Sequence, residues 1–180
     1  QLHFIPILMH GLIDPIPKQH GMSIHACQLR PQSRGSVLPG SADPFASPLV
    51  DFNFLDNEHD WKVIQRSYEI VRDIAQAKAW DGLMGEPSRP DKHLTDEGRI
   101  REFLRQVCET VYHPVGTCKM GSDEQAVVDA ELRVRGIEGL RVADASIMPT
   151  LIGGNTNAPC MMIGEKCSDL ILGRKLPAEA

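Results

Sequence analysis

His113 stands in the run HPVGTCKMG at 113–121, directly before Pro114 and close to Gly116, so its imidazole is presented from a turn and not held on a helix face. An imidazole titrates near neutrality, which makes such a residue a candidate general base. The chain holds 7 histidines, and spacing alone does not select this one. Further along, GGNTNAP at 153–159 offers backbone N–H groups and the amide side chains of Asn155 and Asn157 ahead of a stretch with helical apolar spacing. That turn suits an anionic or carbonyl oxygen at a helix N-terminus, and it equally suits an ordinary Asn cap. Asp144 closes LRVAD, a carboxylate at the C-terminal edge of an expected strand, where open α/β sheets place ligand contacts. The same residue fits a plain turn aspartate.

Other constellations carry less. Cys108, His113 and Cys118 lie at equal spacing and are all zinc-ligand types, but no fourth ligand or C-x-x-C loop accompanies them, and no metal is expected. A Cys–His nucleophile pair drawn from the same residues lacks the context of an oxyanion site. The pairs Asp96–Glu97 and Asp123–Glu124 read as solvated helix-start and loop charges. Neither G-x-G-x-x-G nor G-x-x-x-x-G-K-[ST] occurs, so the chain has no phosphate loop of its own.

Elements must hold these residues in place. To about Leu38, apolar clusters (LHFIPILMH, MSIHACQLRP, SVLP) separated by Pro and Gly predict strands joined by turns. PGSADPFASP is a loop, and LVDFNFL resumes strand alternation. The period then changes. Asn57 caps an expected helix over 57–79 with Trp61, Ile64, Tyr68, Val71 and Ala75 on one face, and its early carboxylates Glu58 and Asp60 suit the helix dipole. Thr95 caps a second over 96–111, carrying Ile100, Phe103, Leu104, Val107 and Val111. LRVR and LRVAD flank a GIEG turn as two short strands, and Cys160, Met161, Ile163, Cys167, Leu170 and Ile171 form the face of a helix over 159–172 ended by Gly173. RKLPAEA reads as a tail.

Composition bounds the function. With 180 residues and 42% hydrophobic content, the chain can build a core, and disorder is not expected. Its net charge of -5 offers no basic surface for nucleic-acid phosphates. No apolar run approaches the roughly 20 residues that span a bilayer, and the opening QLHFIPILMH does not look like a secretory leader, so a soluble protein is expected. Gln1 is followed at once by strand-like residues, which suggests a fragment that starts inside an element. The 5 cysteines form no C-x-x-C pair, pointing to reduced thiols and the cytoplasm.

With HPVGTCKMG, GLRVADASIMP at 139–149 and GGNTNAPCMMIGEKCSDLI at 153–171 in that order, the chain resembles the carboxyl-terminal part of the glucose-methanol-choline (GMC) flavin oxidoreductases, most of all choline dehydrogenases and related alcohol dehydrogenases. RPQSRGSV at 30–37, the Asp43–Pro44 pair and VDFNFL at 50–55 resemble that family's substrate-domain strands. The resemblance implies an α+β fold: an antiparallel sheet with helices over 1–112, forming part of the substrate-binding lobe, and a return segment over 113–180. That segment would complete a Rossmann-type FAD domain whose amino-terminal portion is missing here or sits on a companion chain.

It also implies FAD as cofactor and a small-molecule alcohol as substrate, choline-like or aliphatic. By that analogy His113 is the active-site base facing flavin N5, Asn155 is the second active-site position, Asp144 and Ala145 contact the cofactor, and Asn157, Ala158 and Pro159 lie against the flavin ring. The alcohol hydroxyl would give its proton to His113, Asn155 and the imidazolium would hold the alkoxide, and hydride would pass to N5. The electron acceptor is open, and membrane contact is expected only through it. The alternative is a non-catalytic globular fragment or interaction module without cofactor.

Overall fold

The structure is a computed structural model that describes residues 1–11 and 14–174. The expected tail lies largely outside these residues. The chain divides into two compact units, Gln1–Val111 and Tyr112–Ala180.

The first unit opens with two antiparallel strand pairs. β1 (Leu2–Ile5) pairs with β2 (Ser23–Ala26) in the register Leu2↔Ala26 to Ile5↔Ser23, and β3 (Ser36–Leu38) pairs with β4 (Leu49–Asp51) from Ser36↔Asp51 to Leu38↔Leu49. The alternation in VDFNFL does not extend β4 to Leu55. Asn53 (φ 48°) and Leu55 (φ 61°) adopt left-handed backbone, and the Asp51 carboxylate turns the chain by accepting from the Asn53 N–H at 2.8 Å. Gly35 is required by packing, because a Cβ there would fall 2.0 Å from the Asp51 carbonyl oxygen.

α1 (Glu58–Ala75) starts at Asn57, whose side chain accepts from the His59 N–H, and α2 (Glu97–Val107) starts at Asp96, whose carboxylate accepts from the Arg99 N–H. Both helices are shorter than their apolar periodicity suggests. The cap of α2 is Asp96 and not Thr95, since Asp96 has the extended backbone of a cap and a carboxylate within 2.9 Å of the Arg99 amide. The core of this unit is Trp61, Tyr68, Leu94, Ile100 and Leu104, so each helix turns its apolar stripe toward the other. Two guanidiniums cover Trp61, with Arg101 at 4.9 Å and Arg105 at 5.1 Å from the ring.

Asp60 is buried at 1% exposure and organises the loop that follows β2. It accepts from the Gln28 side chain (2.7 Å), the Gln32 and Ser33 amides (2.9 and 2.7 Å) and the Ser33 hydroxyl (2.5 Å). RPQSRG is therefore strapped to the first turn of α1.

The second unit has its own core of Val128, Leu132, Ile147, Met148, Ile163 and Cys167. LRVR and LRVAD do form a hairpin-like connection, with the Val134 amide on the Leu140 carbonyl (3.0 Å) and the Val142 amide on the Leu132 carbonyl (3.1 Å). Regular strands do not result; only isolated bridges such as Val128↔Val134 and Arg133↔Arg141 form. Leu132 sits at φ 65°, which interrupts any continuous ladder. Gly136 and Gly139, both at positive φ, turn the tip. α3 (Asn157–Leu172) begins at Asn157, ahead of the expected Pro159, and ends at Gly173 in the left-handed conformation. Pro159 fits because a first-turn N–H has no intrahelical acceptor to lose.

Candidate active site

The second unit brings His113 and the turn before α3 together. Tyr112 precedes the histidine at φ 62° and Gly116 follows at φ 92°, so the chain reverses on both sides of it. A Cβ on Gly116 would stand 3.3 Å from the Met148 carbonyl oxygen. Two backbone bonds then fasten the stretch after His113 to the stretch before Asn155: the Cys118 amide donates to the Ser146 carbonyl (3.0 Å) and the Met120 amide to the Ile147 carbonyl (2.7 Å). Ile147 and Met148 are core residues, so this seam is anchored.

The half-buried imidazole of His113 is held at both nitrogens. The Asn155 Nδ2 donates to His113 Nε2 at 3.0 Å, and Thr156 Oγ1 lies 3.0 Å from His113 Nδ1. An amide nitrogen only donates, so Nε2 accepts. In the neutral ring the proton then sits on Nδ1 and is donated to the Thr156 oxygen. The arrangement keeps Nε2 unprotonated, its lone pair held by an amide donor that can turn to serve an oxygen instead.

Asp144 is exposed, and its Oδ1 accepts from the Ser146 N–H at 2.8 Å, capping a one-turn 3₁₀ helix, Ala145–Ile147. Ala145 is partly buried and packs on the core. Asn157 and Ala158 are exposed in the first turn of α3, and Pro159 is partly buried. Thr156 escaped the sequence reading. A Thr before a helix signals a cap, but with the helix expected to start at Pro159 this residue fell inside the turn, and no local pattern reports a contact with His113. Among the described residues no three His, Cys, Asp or Glu side chains are grouped to hold a metal, and Cys108, His113 and Cys118 form no such group. All five cysteines are free. No helix among the described residues is long and apolar enough to cross a membrane.

Against known families, residues 31–164 match the model described as GMC oxidoreductase. The chain belongs to the GMC oxidoreductase family. The match takes in His113, Asp144, Ala145 and all of the GGNTNAP turn. Two oxygen-dependent choline dehydrogenases are 45% identical (Klebsiella pneumoniae subsp. pneumoniae) and 43% identical (Acinetobacter baumannii) over 175 residues, covering 97% of this chain and 32% of each relative. This GMC oxidoreductase chain thus spans about a third of the length of the curated relatives it matches.

Among solved structures, a formate oxidase superposes with a TM-score of 0.86 at 29% identity, covering 96% of this chain and 31% of its own. Pyridoxine 4-oxidase from Mesorbium loti gives 0.72 at 29% identity, covering 91% and 32%. The expected α+β class is present as short antiparallel pairs with three helices, in a GMC setting.

Proposed function

We propose that this chain provides the proton-handling groups of an FAD-dependent oxidation of a primary alcohol, choline-like or aliphatic, to its aldehyde. An amino-terminal FAD-binding portion would complete the enzyme. Residues 1–112 would then be part of the substrate lobe and 113–180 the return segment of the cofactor domain, a reading in keeping with the division of the chain at Val111 and Tyr112. The names of the relatives, oxygen-dependent choline dehydrogenases, support the substrate class, and the free cysteines accord with the cytoplasm. The observation that carries the reading is the double hydrogen bonding of the His113 ring.

The residues present fit a flavin. α3 has no side-chain cap, so the first-turn N–H groups of the exposed Asn157 and Ala158 are left for an electron-rich carbonyl oxygen, where the helix dipole also favours negative charge. Asn157, Ala158 and Pro159 would line the ring, and Asp144 and Ala145 would meet the cofactor from the end of LRVAD. When bound, the flavin supplies the hydride acceptor.

The chain's own residues prepare the substrate. An alcohol oxygen about 2.8 Å from both His113 Nε2 and Asn155 Nδ2 can stand at the apex of a triangle whose base is their 3.0 Å bond. Asn155 turns its N–H from Nε2 to that oxygen, and the freed Nε2 lone pair takes the hydroxyl proton. As the oxygen gains negative charge, the Asn155 N–H and the new imidazolium N–H both strengthen their bonds to it, so the stabilisation is larger in the transition state than in the bound alcohol.

Anaerobic mixing of the flavin-loaded enzyme with a primary alcohol tests this. Reduction should bleach the flavin, and His113→Ala should slow that step by about 100-fold or more, in the range lost with a general base. Reduction at the parent rate in His113→Ala would show instead that this site is not the catalytic one.

A further inference from the structure

Thr156 stands at the N-cap of α3, where threonine ordinarily turns its hydroxyl onto a first-turn amide. Here it does not. The backbone of Thr156 is helical (φ -87°, ψ -8°) instead of extended, and its side chain makes no capping bond. The hydroxyl lies instead 3.0 Å from His113 Nδ1. Thr156 is 8% exposed, while its neighbours Asn155 and Asn157 are exposed, so its side chain is the one that turns inward. A cap stabilises a helix, and its diversion to an imidazole is the kind of local loss that marks a functional constraint.

We propose that Thr156 is the positioning residue for His113: its hydroxyl accepts the Nδ1 proton, fixes the ring plane and keeps the lone pair on Nε2, the nitrogen beside Asn155. The proposal rests on the reading of His113 as proton acceptor. Two tautomers of a neutral imidazole are close in energy, and the hydrogen bond at one nitrogen decides which nitrogen is free to accept. Asn155 alone cannot decide it, because a turned amide would present its oxygen and favour the opposite tautomer. Thr156 also ties the ring to α3, the element whose first turn would face the flavin, so one short side chain links base and helix.

The test uses the flavin-loaded enzyme with 15N-labelled histidine, the His113 ring signals being assigned by their loss in His113→Gln. The parent should show a protonated Nδ1 and an unprotonated Nε2. Thr156→Val should average the two nitrogens and slow flavin reduction at saturating alcohol by about 10- to 100-fold, the range lost when the hydrogen-bond partner of a metal-bound imidazole is removed. Alcohol affinity should change by less than about twofold, because the loss falls on the reaction step and not on binding. Thr156→Ser keeps the hydroxyl and should restore both the tautomer and the rate, a rescue that a packing role for the methyl group would not give.

An unchanged tautomer in Thr156→Val, a rate within about twofold of the parent, or failure of the serine variant to restore it overturns the proposal. If His113→Gln reduces flavin at the parent rate, the proton-acceptor reading falls, and the functional role of Thr156 with it. If His113→Gln is slow and Thr156→Val is not, only Thr156 is misassigned.

Discussion

Asp60 shows how much one carboxylate can organise. Burial by itself pushes its carboxyl up, but the bonds from the Ser33 hydroxyl, the Gln32 and Ser33 amides and the Gln28 side chain outweigh that and hold it below the ordinary carboxylate range. A group depressed on folding contributes stability above its unfolded value of about 3.9 and loses it as pH falls through the folded value. Asp60→Asn should therefore cost about 3 kcal/mol at neutral pH, since an amide cannot satisfy so many donors. The gap between variant and parent should narrow below about pH 4. Urea melts at several pH values would check both; a constant gap would mean that the charge is immaterial. From the sequence, Asp60 reads as a carboxylate placed for the helix dipole, because its partners lie in QLRPQS at 28–33, far away along the chain. His113 and Asn155 stand out separately by residue type and turn context, but only motif resemblance pairs them, and no local pattern links Thr156 to His113, since their bond spans 43 positions.

At the level of elements, helical periodicity was the clearest signal and element ends the weakest. All three helices occur near their expected places, because apolar residues at three- and four-residue steps must face a core. Their ends depend on single hydrogen bonds that a pattern does not encode. The start of α2 is the sharpest case: Asp96→Ala should lose about 1 kcal/mol of stability while Thr95→Ala changes it little, because Asp96 alone reaches the Arg99 amide. Thermal melts of the two variants decide it, and equal losses would move the cap back to Thr95. The strands suffered most. Alternation in VDFNFL and the LRVR–LRVAD pair promised ladders, but left-handed backbone at Asn53, Leu55 and Leu132 breaks them into three-residue pieces or isolated bridges. Alternation measures which side chains can share a face, not whether the backbone stays extended.

Among the described residues many large apolar side chains are exposed, and two groups of them lie on named elements. The β3–β4 hairpin exposes every residue of both strands, and the loop joining them carries Phe45 at 95% exposure. On α3, Met161, Met162, Ile171 and Leu172 are each 58% exposed or more. The 180-residue chain should accordingly enhance the fluorescence of an apolar dye. Serine at Leu38, Phe45 and Leu49 should reduce that signal with a stability change of no more than about 0.5 kcal/mol each, as expected of surface positions. An unchanged signal would place the dye elsewhere.

The hairpin-like tip of the second unit has a different bearing. At Gly136 and Gly139 a side chain would meet nothing within 4 Å, and the seam that aligns His113 with the turn before α3 runs through residues 118–120 and 146–147, away from this tip. Extra residues between these glycines would hang in solvent without shifting the base, because surface tips of this kind tolerate insertion. That makes it the natural point for a tether to an electrode or a fluorophore, and the place where related chains are free to diverge in length while keeping the same chemistry.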